Sequence, residues 1–131
     1  MKKLNWIIMV LFLSFTAMSC DDDDDIKGPE REPATITEVQ VPETANAGEP
    51  VPIEVSFTVR NECGRFSFFN ENISGTTYTI RVYPIYLDQP CAQVINTITE
   101  TYTFSPSRAG TYTLRFWAGE DQFIERTIVV Q

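Results

Sequence analysis

The sequence predicts an all-β domain from Ala34 onward, on three observations. β-Branched and aromatic residues dominate this stretch, and such side chains fit a pleated, half-buried surface. Its apolar residues recur at alternate positions and nowhere at helical spacing over ten residues. Turn-forming Gly, Pro, Asn and Asp interrupt the alternation roughly every ten residues, the punctuation of short strands.

Taken in order, Thr35 to Val41 sets Ile36 against Val39 and Val41 and ends at Pro42, a short first strand. Glu43 to Pro50 reads as a turn-rich connection. Val51 to Arg60 is the clearest strand. Val51, Ile53, Val55, Phe57 and Val59 share one face, and Glu54, Ser56, Thr58 and Arg60 the other, so one face belongs in a core and the other in water. Arg65 to Asn70 is a short aromatic strand with Phe66 and Phe68 on one side and Phe69 on the other, followed by a turn from Asn70 to Gly75. Thr76 to Leu87 alternates through Tyr78, Ile80 and Val82 until Pro84, and a proline there implies a sheet edge or a bulge.

Val94 to Phe104 places Ile98, Tyr102 and Phe104 in one phase and four threonines in the other. Thr111 to Ala118 turns Tyr112, Leu114, Phe116 and Ala118 inward and Thr111, Thr113, Arg115 and Trp117 outward. Gly119-Glu120-Asp121 then forms a tight turn into a last strand, Phe123 to Val130. About seven strands at this spacing predict an immunoglobulin-like antiparallel β-sandwich. Pro106 to Leu114 resembles the turn and penultimate strand of bacterial immunoglobulin-like modules. That resemblance implies a tyrosine corner, in which the Tyr112 hydroxyl bonds back to the preceding loop; a plain core aromatic is the other reading of Tyr112.

The first 20 residues have a different composition. Lys2 and Lys3 precede an apolar run from Leu4 to Phe15, broken by Asn5 and Ser14, and Ala17-Met18-Ser19-Cys20 closes it. This is the layout of a secretory signal peptide over residues 1–19. The run is short for a membrane span, which needs about 20 apolar residues, though an uncleaved anchor helix is the alternative. Leu13 to Cys20 resembles the lipobox of bacterial lipoproteins, with Ala17 where the usual box has leucine. The relaxed form is similar to lipoproteins of the Bacteroidota, in which an acidic run after the lipidated cysteine resembles a surface-export signal. The resemblance implies lipid on Cys20, an export signal in Asp21, Asp22, Asp23, Asp24 and Asp25, and attachment to the outer membrane with the domain at the cell surface.

The aspartate run also reads as a solvated tether, because like charges repel and no apolar surface is available to bury. A Ca²⁺ site is less apt, since such loops space their ligands around a turn-forming glycine. Two prolines and a glycine between Ile26 and Pro33 mark a linker. Residues 20–33 are thus expected to be lipidated cysteine and linker, and 34–131 the sandwich.

Charge narrows the partners. The chain has 131 residues, 10 Lys+Arg and 18 Asp+Glu, net −8. Both leader lysines are lost on cleavage, which leaves a more acidic mature chain without lysine beyond Lys27. Nucleic acid is excluded as an expected partner, because phosphate neutralisation needs clustered cations. Histidine is absent, and with it the commonest general base and neutral metal ligand. No catalytic constellation, cofactor motif or metal spacing is present. Glu120-Asp121 as a glycosidase pair is outweighed by its place in a turn, and Asn72-Ile73-Ser74 matches a glycosylation sequon by coincidence.

With Cys20 lipidated, Cys63 and Cys91 remain, an even pair in an exported chain and therefore a disulfide. It would close a loop of about 29 residues, worth roughly 3.5 kcal/mol in the chain-entropy model. Phe69, Tyr83, Tyr86 and Trp117 fall out of phase with the inward faces or near strand ends, as candidate ligand contacts; cover by the second sheet and the loops of a sandwich is the other, favoured reading. The expected function is a non-catalytic cell-surface lipoprotein, a binding or structural accessory module for a protein or glycan. A small carbohydrate-binding protein using the exposed aromatics is the alternative.

Overall fold

The computed structural model describes residues 32–131. The segment read as a signal peptide (1–19), Cys20, Asp21 to Asp25 and most of the expected linker lie outside the described residues. Eight strands follow in order: β1 (Ile36–Gln40), β2 (Thr44–Ala45), β3 (Val51–Val59), β4 (Gly64–Ser74), β5 (Thr77–Tyr86), β6 (Asn96–Phe104), β7 (Gly110–Trp117) and β8 (Phe123–Val130). They form a three-stranded sheet, β1-β3-β6, and a five-stranded sheet, β2-β8-β7-β5-β4. The sandwich expected from the alternation is the fold.

Burial explains why the sheets stack. Every alternate residue of β3 from Val51 to Val59 is buried, as are Tyr102 and Phe104 of β6. The five-stranded sheet answers with Ile80 and Val82, Tyr112, Leu114 and Phe116, and Ile128 and Val130. Period-two alternation in both sheets puts these side chains on facing surfaces, where they share one core. A fully buried Phe or Leu is worth about 1.5–3 kcal/mol over exposure, so this shared core is the main stabilising term.

Four details depart from the expected layout. First, the connection after Val41 contains β2, which pairs parallel with the end of β8. Gln131 N donates to Ala45 O and Ala47 N to Gln131 O, each at 2.9 Å, so the free edge of β8 satisfies backbone groups that would otherwise be unpaired. Second, β4 continues to Ser74 where a turn was expected. The turn is a two-residue hairpin, Gly75-Thr76, between the paired Ser74 and Thr77, with Gly75 at φ +61°, a conformation that glycine adopts without steric penalty.

Third, a bulge between Phe66 and Phe68, opposite Pro84 and Tyr83, shifts the side-chain phase. Phe66 and Phe69 therefore pack on the core, while Phe68 faces out. Proline is tolerated at position 84 because β5 pairs with β7 only from Thr77 to Ile80, so no ladder bond is lost on that side. Fourth, the β5–β7 pairing is parallel, as is β2–β8, where an antiparallel sandwich was expected. The strand beside β7 is the second member of the β4–β5 hairpin. The chain then crosses to β6 in the other sheet before returning as β7, so β5 and β7 run the same way.

Side-chain bonds close the ends and open edges. Tyr112 Oη donates to Arg108 O at 2.8 Å, the tyrosine-corner geometry that the resemblance implied. Tyr102 Oη donates to Glu71, joining β6 of one sheet to β4 of the other. Cys63 and Cys91 are disulfide-bonded with Cα atoms 5.7 Å apart, within the range a bridge allows. The bond ties the start of β4 to the β5–β6 connection. Gly64, next to Cys63, has no room for a side chain, since a Cβ there would lie 2.5 Å from Val59 Cβ.

Replacing Cys63 and Cys91 together by serine is expected to lower unfolding free energy by about 2–4 kcal/mol. Reducing the wild type should give the same loss in a denaturant titration, and coincident curves for oxidised and reduced protein would exclude a structural contribution. A second expectation concerns alkali. Burial raises the Tyr102 hydroxyl well above its ordinary value of 10.0, and the bond to Glu71 raises it further. Tyr78 is raised by burial, then by Glu71 and Tyr112. Above pH about 10 the unfolded chain releases these protons while the folded chain keeps them. The stabilisation is thus fully present below about pH 10 and falls as pH rises past it. Tyr102→Phe should flatten that fall in a pH series of thermal melts.

Candidate ligand-binding face

The outer surface of the five-stranded sheet carries side chains that the core does not use. Because Ile80 and Val82 are buried, Thr79, Arg81 and Tyr83 of β5 point outward. The same alternation turns Thr113, Arg115 and Trp117 of β7 and Phe123, Glu125 and Thr127 of β8 outward. Past its bulge, β4 adds Phe68, Asn70 and Asn72.

Register arranges these residues in rungs across the strands. Asn72 lies opposite Thr79, Thr79 opposite Arg115 and Arg115 opposite Glu125. One step along, Asn70 faces Arg81, and Trp117 faces Phe123. Beyond that, Phe68 faces Tyr83, their rings stacked at 5.0 Å and 10°. Successive rungs are two residues apart, about 6.6 Å, so three rungs span roughly 13 Å.

The arginines are held by rings and a carboxylate. Arg115 Nε donates to Glu125 Oε1 at 2.9 Å, and its guanidinium lies 4.0 Å from the Phe123 ring centroid. Arg81 lies 5.9 Å from the same ring. Among the described residues no carboxylate stands within ion-pair distance of Arg81. Such stacking orders a cation without neutralising it.

Of the four aromatic residues singled out from the sequence, Tyr83 and Trp117 lie on this face. Phe69 does not: the bulge turns it inward, where it meets Phe66 at 4.9 Å and Tyr102 edge-on at 5.5 Å. Nor does Tyr86, which packs on the core. Its hydroxyl accepts from Arg60 N at 3.1 Å, and the Arg60 guanidinium covers its ring at 3.9 Å. Tyr86 therefore closes the end of the sandwich where the chain enters, beside a shallow cavity also lined by Pro33, Ala34, Pro84 and Ile95.

The sequence reading placed Arg115 outward but singled out neither it nor Phe68, Arg81 and Phe123 as candidate contacts. Phe123 could have been found as an outward residue beside Trp117 across the Gly119 turn. Phe68 could not, because its phase depends on the bulge.

Among the described residues no group of three or more Cys, Asp or Glu is placed to hold a metal. Glu120 and Asp121 form the β7–β8 turn, where Ala118 N donates to Gln122 O at 2.8 Å and Asp121 has φ 52°. Asn72-Ile73-Ser74 lies exposed on β4.

The sheets and this face define a β-sandwich domain. The sequence model of the ORF11 beta-sandwich domain matches residues 53–130, from β3 to the end of β8, and the chain belongs to that family. No curated protein and no solved structure matches the chain.

If these residues are a surface and not part of the core, truncating them should cost little stability. Tyr83→Ala is expected to lose about 0.5–1.5 kcal/mol, the worth of a stacked pair. Phe116→Ala, one position from Trp117 but buried, should lose about 3–5 kcal/mol. Equal losses in thermal melts would place Tyr83 in the core.

Proposed function

We propose that this chain is a non-catalytic cell-surface lipoprotein, anchored in the outer membrane through lipid on Cys20, whose sandwich is a binding module. In this reading residues 1–19 are a cleaved signal peptide and 20–33 a tether bearing the export signal Asp21 to Asp25. Residues 34–131 form the sandwich. Support for the anchor comes from the lipobox-like segment and the acidic run. The observation that carries the binding role is the outer face of the β2-β8-β7-β5-β4 sheet, where Phe68, Tyr83, Trp117 and Phe123 stand clear of the shared core. Phe68 is exposed and Tyr83, Trp117 and Phe123 are half-buried, and large rings gathered on the solvent side of a sheet are a feature that partner-binding faces share.

Catalysis is not part of the proposal. Among the described residues the one carboxylate on this face, Glu125, is held by Arg115, and acid–base hydrolysis of a glycoside needs two carboxyl groups across the bond. A second reading, a small carbohydrate-binding protein, is favoured by the Phe68–Tyr83 stack beside Asn70 and Asn72, which pairs apolar rings with amides able to bond hydroxyl groups.

Cys20→Ala should abolish incorporation of labelled fatty acid into the chain in its native host, and equal labelling of wild type and variant would overturn the anchor. Replacing Asp21 to Asp25 with Ala and Ser should leave labelling intact while sheltering the protein from protease added to whole cells. Unchanged digestion would reduce the run to a solvated tether.

A further inference from the structure

The domain is electrostatically two-sided. Residues 34–131 hold six arginines and eleven carboxylates, so the domain repels anions overall. Three of those arginines nevertheless belong to the outer face of the five-stranded sheet: Arg81 and Arg115, and at its end Arg65, opposite Ile85, whose guanidinium donates to the Glu62 and Gly64 carbonyls at 2.8 Å. Among the described residues the single carboxylate beside them is Glu125. The outer face of the β1-β3-β6 sheet is the reverse: among the described residues it carries Glu38 and Glu54 beside Ser56, Thr58 and the β6 threonines, and Arg60, next in phase after β3, is drawn away over the Tyr86 ring. Segregating cations on one face of an acidic body gives that face a local field that attracts anions.

We propose that the outer face of the five-stranded sheet binds an acidic saccharide, one bearing uronate or sulfate groups. The inference rests on the binding-module reading above and names the ligand class for that face. Rings and cations alternate here on the scale of sugar residues. The Phe68–Tyr83 stack presents apolar surface to the C–H face of a sugar ring. The next rung sets Asn70 beside Arg81, an amide for hydroxyl groups and a guanidinium for a carboxylate or sulfate. Trp117 and Phe123 continue the apolar surface, and the Asn72-Thr79-Arg115 rung repeats the polar set.

Arg81 is the recognition residue, because no carboxylate of the described residues neutralises it and the Phe123 ring orients it. A neutral glycan would leave this charge unmatched. A nucleic acid would find three arginines on an acidic body, far short of the cation density that phosphate binding needs.

The test is binding of the full mature chain to polygalacturonate, chondroitin sulfate, neutral dextran and double-stranded DNA, by affinity electrophoresis and calorimetry. One or both acidic glycans should bind, more weakly as salt rises, and dextran and DNA should not. Arg81→Gln should weaken binding about tenfold, the loss expected for one charge-assisted hydrogen bond. Tyr83→Ala should weaken it too. Glu54→Gln, on the opposite face, should not. A circular dichroism spectrum matching wild type shows that each variant is folded.

Equal binding of dextran, or an Arg81→Gln variant that binds acidic glycan as well as wild type, overturns the acidic specificity while leaving a glycan module standing. DNA binding as tight as glycan binding reduces the face to a general polyanion patch and overturns the inference. Binding to none of the four also overturns it. Fatty-acid labelling of Cys20 reports separately on the lipoprotein reading, so the two can fail independently.

Discussion

Four residues of β5, Thr77 to Ile80, lie parallel to four residues of β7, Thr113 to Phe116, and the five-stranded sheet hangs on this short seam. On one side of it is the β4–β5 hairpin, on the other the β7–β8 hairpin with β2 along its edge. Each hairpin is local, and a two-stranded hairpin alone is marginal in water. Joining them makes a sheet wide enough to cover β1-β3-β6. The joint holds because Ile80, Leu114 and Phe116 beside it are fully buried in the core they share with Phe57 and Phe104 of the opposing sheet. Backbone pairing sets the geometry, and the core beneath stabilises it.

The same seam creates the outer face. It brings Arg81 and Tyr83, from one hairpin, alongside Trp117 and Phe123 from the other. Had β4 stood next to β7 instead, the rungs would combine different residues and Arg81 would sit at the sheet edge. A topological choice made for the core thus decides which side chains share the solvent surface. Function in such folds belongs to the face and not to the sandwich that presents it.

Polar groups at the margins serve a different end. The Tyr102–Glu71 bond spans the open side between β6 and β4, and the Tyr112–Arg108 bond secures the loop before β7. The Cys63–Cys91 bridge secures the β5–β6 connection. These lie where the alternating pattern ends and burial alone would leave loops loosely held. On the far sheet, Ser56 Oγ and Thr99 Oγ1 bond at 2.8 Å, a cross-strand contact that stabilises an outer surface without rings.

The alternation of β3 and β7 was sufficient to place those strands and their buried phase, because a period of two is a local property of the chain, and the turn at Gly119 placed the span of β8. The cysteine pair was legible by parity, and the tyrosine corner by the motif before β7. By contrast, the pairing of β2 with β8, the parallel seam and the bulge at Phe66 depend on partners distant in sequence. The bulge alone reversed Phe69 and Phe68, so of the aromatics read from phase Tyr83 and Trp117 lie on the outer face and Phe69 and Tyr86 in the packing. Sequence by itself determined which residues alternate and hence that two sheets share a core. Tertiary structure decided which strands are neighbours, since register and strand order come from long-range backbone pairing that no local pattern encodes, and with them which rings and arginines meet.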